Sequence, residues 1–146
     1  MSQYIPQDKY DYILTHMPIA CVDVCIVSEK GILLVKRNTE PAKGTWWVPG
    51  GRVHKGETLR DCAYRKCLEE VNLHCSIGPI VHTDETVFDT GPSGIPIHSI
   101  NVCFLAIPHT ADVKLDDYSD SHAWVPHIAD NFHPYVRKCF EGCGFK

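Results

Sequence analysis

The sequence predicts an α/β fold in which a mixed β-sheet lies between α-helices. Three observations predict it. Strand-like segments outnumber helix-like ones. Their order does not alternate regularly, which disfavours a doubly wound parallel sheet. The length, 146 residues with 44% hydrophobic and 22% charged, suits one compact domain over 1–146 with a real core.

The elements follow in order. "PQDKYDYILTHMP" reads as a short helix, with Pro6 at its start and Pro18 as its stop. "IACVDVCIV" is β-branched and alternating, hence a strand. Glu29-Lys30-Gly31 is a turn, and "ILLVKR" returns as the second strand of a hairpin. The polar loop "NTEPAKGT" leads into "WWVPGG", a short strand ending at Pro49. A helix follows from Thr58 to about Val71, with Thr58 and Asp61 as its capping pair. After Gly78-Pro79 come a strand "IVHTDETVFD", a loop "TGPSGIP" and a strand "HSINVCFLAIP". "AWVPH" is a short strand, and "HPYVRKCFEG" a C-terminal helix closed by Gly142 or Gly144.

Composition excludes several classes. The net charge is −4 with no basic run, which argues against non-specific nucleic-acid binding. A small anionic ligand stays open if positive charge is concentrated locally. The N-terminus lacks an apolar h-region, and no run of about 18 apolar residues occurs, so neither secretion nor membrane crossing is expected. Eight cysteines, mostly inside apolar runs and without a C-x-x-C pair, read as buried thiols in a reducing, cytoplasmic setting. A metal site from Cys139, Cys143 and a histidine such as His133 is the sharper alternative, thinly supported by one C-x3-C spacing.

The central helix carries the chemistry. At 100° per residue, Ala63, Tyr64, Cys67, Leu68 and Val71 gather on one side. Arg65, Lys66, Glu69 and Glu70 gather on the other, with Cys62 between. Taken alone, this polar face is a solvated one with i,i+4 ion pairs of a few tenths of a kcal/mol. The preceding loop changes that reading. Pro49-Gly50-Gly51 lets the chain turn sharply and brings carbonyls near the helix, and Glu57 adds a third carboxylate. Carboxylates, a carbonyl and water make an oxygen site for a hard divalent cation that shares its positions with substrate phosphates.

This stretch resembles the Nudix box, G-x5-E-x7-R-E-U-x-E-E-x-G-U. Gly51, Glu57, Arg65, Glu69, Glu70 and Leu73 fall at box positions. Cys67 replaces an aliphatic residue and Asn72 a glycine, both mild changes, since Asn tolerates positive φ. Lys66 is the serious departure, standing where the family usually has a glutamate that serves as ligand or base. "VKRNTEPAKGTWWVPGGRVHKGETL" is similar to the GDP-mannose mannosyl hydrolase branch, which also lacks that glutamate. The branch cleaves at the sugar's anomeric carbon, releasing GDP and mannose.

The resemblance implies the Nudix fold, Mg2+ or Mn2+, a small nucleotide-linked substrate and a homodimer. It implies metal ligation by Glu70, Glu69, Glu57 and the Gly50 carbonyl, directly or through water. Arg37, Arg52 and Arg65 would offset charge on a diphosphate leaving group, Arg65 alternatively orienting Glu69. Asp23, an acid inside an apolar strand, would contact base or sugar. Trp46 and Trp47 face opposite ways, one packing in the core and the other bordering the substrate, with Trp46 the candidate. The branch's base is a histidine on the loop before the tryptophan strand. Here Ser119 takes that place and Tyr118 its neighbour's, so Asp120 or His122 must substitute as base or extra ligand. Two rivals remain: attack at phosphorus, on a nucleotide sugar or a (d)NTP, and a non-catalytic nucleotide-sugar binder.

Overall fold

The computed structural model describes residues 4–110 and 112–146. Residues 1–3 and 111, part of the expected single domain, lie outside the described residues. The elements run α1 (Gln7–His16), β1 (Ile19–Ser28), β2 (Gly31–Arg37), β3 (Trp46–Trp47), β4 (Gly50–Arg52) and α2 (Leu59–Val71). They continue with β5 (Cys75–Phe88), β6 (Ile97–Pro108), β7 (Ser119–Val125) and α3 (Pro134–Gly142).

The strands form one mixed sheet in the order β3-β2-β1-β6-β5, with β4 also on β1 and β7 also on β2. β1 and β6 are parallel, while β5 lies antiparallel to β6. Alternation along β1 sends side chains to two opposite cores. Val22, Val24 and Ile26 meet Ala63, Cys67 and Val71 of α2. Cys25 meets Tyr135, Val136, Cys139 and Phe140 of α3. The predicted mixed sheet between helices is therefore present, and the hairpin closes with Ser28 opposite Gly31.

Three boundaries differ from expectation, each for a local reason. The tryptophan segment divides into β3 on β2 and β4 on β1. β5 starts at Cys75 and runs through Gly78-Pro79, where the register with β6 shifts, since a ladder accommodates Pro and Gly at a bulge. β7 begins at Ser119, because "SDSHAWV" alternates and pairs along β2. Asp120 and His122 thus lie on a strand and not on a loop. The C-terminal helix ends as expected, its last residue Gly142 followed by the C-cap Cys143 and by Gly144 at φ 85°.

Candidate active site

The site is assembled where β4 runs into α2. Thr58 caps α2 as expected, its hydroxyl accepting from the Asp61 amide at 3.1 Å. Asn72 ends it at φ 61°, the left-handed conformation that a box glycine would supply. Upstream, β4 lies against β1 with Gly50 opposite Asp23. A Cβ on Gly50 would collide with the Asp23 carboxylate and the Val22 carbonyl, so glycine alone permits this approach.

The approach aims the Gly50 amide at α2, where it donates to Glu70 Oε2 at 2.6 Å. Ala63, Cys67 and Glu70 stand at i, i+4 and i+7, so Glu70 belongs to the packed arc of the helix. It is only 8% exposed, while Tyr64, expected on the core face, is 41% exposed. Burial pushes the Glu70 carboxyl up to about 7, against the pull of Lys66 and the Gly50 amide.

Arg65 organises the outer carboxylates. Its Nε donates to Glu57 Oε2 at 2.7 Å and its Nη1 to Glu69 Oε2 at 3.0 Å. Its Nη2 donates to Glu57 Oε1 and to the Arg52 carbonyl, both at 3.0 Å. These charge-assisted bonds hold the Glu57 carboxyl down at about 2. Lys66 Nζ stands 3.3 Å from Glu69 Oε2 and 3.8 Å from Glu70 Oε1. A Cβ on Gly51 would touch the same Lys66 side-chain end. Two carboxylates thus already gather round one cation, in front of the glycine turn. Hard oxygen donors in this arrangement suit Mg2+ or Mn2+, with Glu70 the buried anchor.

The opposite wall is a buried polar chain. Asp23 Oδ2 accepts from the Tyr135 hydroxyl at 2.6 Å and from Asn101 Nδ2 at 2.9 Å. Asn101 Oδ1 in turn accepts from Ser99 Oγ at 2.9 Å and Thr86 Oγ1 at 3.2 Å. Burial pushes the Asp23 carboxyl up to about 6, with those two hydrogen bonds opposing. Between the walls lies a cleft of ≈ 390 Å³, with Arg37 and Arg52 among its lining residues and Trp47, Phe88 and Ile97 supplying apolar surface.

Of the residues singled out in the sequence, Asp23, Arg37, Gly50, Arg52 and Glu70 line this cleft together. Glu57, Arg65 and Glu69 adjoin it through their ion pairs. Trp46 does not line it; it faces a separate recess with Asn131 and Phe132, while Trp47 lines both. Asp120 accepts from Asn38 Nδ2 at 3.0 Å, and His122 pairs with Val35 across β7 and β2. Neither belongs to the cleft lining, whereas Tyr118 does. His133 caps α3 by accepting from the Tyr135 amide at 3.0 Å and packs on Trp47, away from any thiol grouping with Cys139.

Sequence reasoning missed Asn101, Tyr135 and Asp116. Asn101 had a signal, a polar residue inside the apolar alternation of "INVCF". Asp116 had none. Its amide meets the Glu70 carbonyl at 3.3 Å, and its charge adds to the upward pressure on the Glu70 carboxyl.

Residues 17–133 match the NUDIX domain family. The chain is 35% identical over 137 residues to the low-salt glycan biosynthesis protein Agl8 of Haloferax volcanii, covering 92% of this chain and 87% of that protein. It is 31% identical over 111 residues to an ADP-ribose pyrophosphatase of Methanocaldococcus jannaschii, covering 76% of this chain and 63% of that one. A MutT NUDIX hydrolase structure from Burkholderia pseudomallei superposes with a TM-score of 0.74 at 21% identity, covering 87% of this chain and 98% of that one, which is a likeness of fold.

Proposed function

The chain belongs to the NUDIX family and is a Nudix hydrolase, and from that premise we propose that it hydrolyses a nucleoside diphosphate sugar, a GDP-sugar such as GDP-mannose, to GDP and free sugar. The observation that carries the proposal is the pairing of two unlike walls in one cleft. One wall offers carboxylates and arginines for a metal-bound diphosphate, and the other a buried hydrogen-bonding chain for a polyhydroxylated group. The name of the Haloferax relative, a glycan biosynthesis protein, supports a sugar nucleotide.

Nudix hydrolases generally use divalent metal ions such as Mg2+. Here Glu70 and Glu69, with Glu57 and the Gly50 carbonyl in support, would hold Mg2+ or Mn2+. When bound, such an ion offsets diphosphate charge and draws electron density toward the leaving group. The chain's own groups do the rest. Arg37 and Arg52 meet the diphosphate at the cleft rim. Arg65 is committed to Glu57, Glu69 and the Arg52 carbonyl, so it positions the carboxylates and the loop. Trp47 and Phe88 give the apolar surface against which a base can lie. Asp23 orients sugar hydroxyls through Oδ1, the oxygen turned toward Gly50.

One observation favours a second reading, attack at phosphorus to give a nucleoside monophosphate and a sugar phosphate. Asp120 and His122, the substitutes for the branch's histidine base, stand outside the cleft lining. Hydrolysis in 18O-labelled water separates the two. Label in the free sugar supports anomeric attack; label only in phosphate overturns it. A homodimer belongs to the same reading and is checked by analytical ultracentrifugation. The exposed Val87 and Ile100 on β5 and β6 offer apolar surface for it.

A further inference from the structure

Behind the active cleft, on the face of β1 that carries Asp23, lies a second group of chemically active side chains. Cys25 of β1, Cys103 of β6 and Cys139 of α3 point at one another, each fully buried. Their Sγ atoms all lie within 4.8 Å of one another, and Cys25 and Cys103 are 3.5 Å apart. Cys143, one helical turn beyond Cys139 and half-buried, interacts with the Cys25 thiol. Three thiols from three elements therefore meet at one point, with Cys143 beside them. Cys143 is the C-cap of α3, four residues after Cys139, and its amide donates to the Cys139 carbonyl at 3.2 Å.

The geometry points to a tetrahedral thiolate site for a soft divalent metal, zinc, held by Cys25, Cys103 and Cys139 with Cys143 as fourth ligand. The spacing is what the metal needs. Sulfurs at about 2.3 Å from a tetrahedral zinc are about 3.8 Å from each other. The separations here bracket that value, so coordination asks for small rotamer changes and no backbone movement. The ligand chemistry selects against the ion of the hydrolytic site, because thiolates favour zinc and oxygen donors favour magnesium. The two sites do not compete for one metal.

The thiols' electrostatics agree with this reading. Hydrogen bonds from Cys103 and Cys25 hold the Cys139 thiol below its ordinary range, while the two donors are pushed up. That direction favours negative charge on the Cys139 sulfur, inside a pocket where a lone anion is costly. A bound zinc supplies the missing positive charge, and the displaced thiol protons leave to solvent. Structurally, the site ties α3 to the parallel β1–β6 pair. Tyr135, which holds Asp23 in place, rides on that helix. The centre is therefore structural, and it fixes one wall of the cleft.

The pairing foreseen from sequence, Cys139 and Cys143 with His133, changes accordingly. His133 faces Trp47 and caps α3, and the remaining ligands come from the middle of two strands far away in the chain. No local spacing announces such a set.

The test uses the full chain, reduced and stripped of metal under native conditions, titrated with Co2+ and separately with Zn2+. Roughly one cobalt per chain is expected to bind with an intense sulfur-to-cobalt charge-transfer band and the strong visible bands of a tetrahedral ion. The Glu70→Gln protein must keep those bands, since a carboxylate site produces none of them. Cys103→Ser and Cys139→Ser should each lose them, and zinc should raise the melting temperature of the unsubstituted and Glu70→Gln proteins but not of the serine variants. If a serine variant fails to fold, the unsubstituted protein decides. A cobalt spectrum without the charge-transfer band overturns the proposal. So does intact-mass evidence of a Cys25–Cys103 disulfide, lighter by two hydrogens, in protein purified without metal.

Discussion

Lys66 is the residue whose replacement says most about the hydrolytic site. Its ammonium is 3.3 Å from Glu69 Oε2 and 3.8 Å from Glu70 Oε1, with the side chain 15% exposed. A divalent ion bonded to the same oxygens at about 2.1 Å would stand roughly 4–5 Å from that ammonium if the lysine stayed. With fully water-like screening, the repulsion between charges of one and two at about 5 Å is about 1.7 kcal/mol. The lysine's flexible stem lets it retreat, so the water-screened figure is the one to use. Lys66→Gln should then tighten metal binding roughly tenfold. A second effect opposes the first. Lys66 pulls the Glu70 carboxyl down, so its loss lets burial raise that carboxyl further above about 7. Protons then compete with metal near neutrality, and the gain appears fully only at alkaline pH. The assay is Mn2+ binding followed by electron paramagnetic resonance on substrate-free protein, at pH about 8.5 and about 6.5. A tenfold tightening at the higher pH that shrinks at the lower one is expected. Unchanged or weaker binding at the higher pH refutes the reasoning, and places the metal away from the Glu69–Glu70 pair.

Glu70→Gln should lower turnover by roughly 100-fold or more while circular dichroism stays native, the scale of losing one transition-state contact; near-normal turnover would remove Glu70 as the principal ligand. Asp23 predicts a pH-dependent stability. Its folded value of about 6 lies above the ordinary 3.8, so the folded state binds the proton more tightly and stability falls as pH rises across that interval. The loss is at most about 3 kcal/mol. Glu70 acts in the same direction between 4.5 and about 7. The comparison with Asp23→Asn isolates the first group, and urea midpoints at acid and neutral pH should converge in that variant. Equal slopes in both proteins would contradict the assignment. Glu57 has the opposite sign. Its value is depressed from 4.5 to about 2, so its pair with Arg65 stabilises above 4.5 and is lost as pH falls through 2. Solvent reaches both partners, and Arg65→Met should cost roughly 1–3 kcal/mol at neutral pH by thermal melting. A melt indistinguishable from the unsubstituted protein would make the fork ornamental.

What the sequence disclosed depends on whether the controlling interaction is local. The central helix was readable because its cap, its periodicity and its left-handed terminus are all set within a few residues: Thr58 binds Asp61, and Asn72 takes φ 61°. The carboxylates and Arg65 lie one or two turns apart, so their grouping was readable too. Glu70 stands out in the sequence as a ligand candidate, but its burial is not read there. Helical spacing puts it on the arc of Ala63 and Cys67, but the Gly50 amide that receives its carboxylate comes from β4, against β1, outside any helical wheel. The resemblance puts Asp120 and His122 on the loop before Trp124, and their segment is polar. Polar alternation is equally what a half-exposed strand shows, and β2 decides between the two by pairing with it.

The same distinction separates the cleft's two walls. The wall of carboxylates and glycine turn is written in one stretch, from Gly50 to Glu70, and a reader of motifs finds it. The opposite wall is built from Asp23, Thr86, Ser99 and Asn101 on β1, β5 and β6, with Tyr135 of α3 holding Asp23 from behind. Each of these is a single polar residue inside an apolar run. One such residue alone is costly, and the cost is relieved only by the others. A buried Asp in a strand therefore signals that partners exist elsewhere in the chain, without saying where. The box fixes the class of reaction. On the proposed reading, the choice among nucleotide-linked substrates turns on the dispersed wall, and on the helix that holds Tyr135 against Asp23.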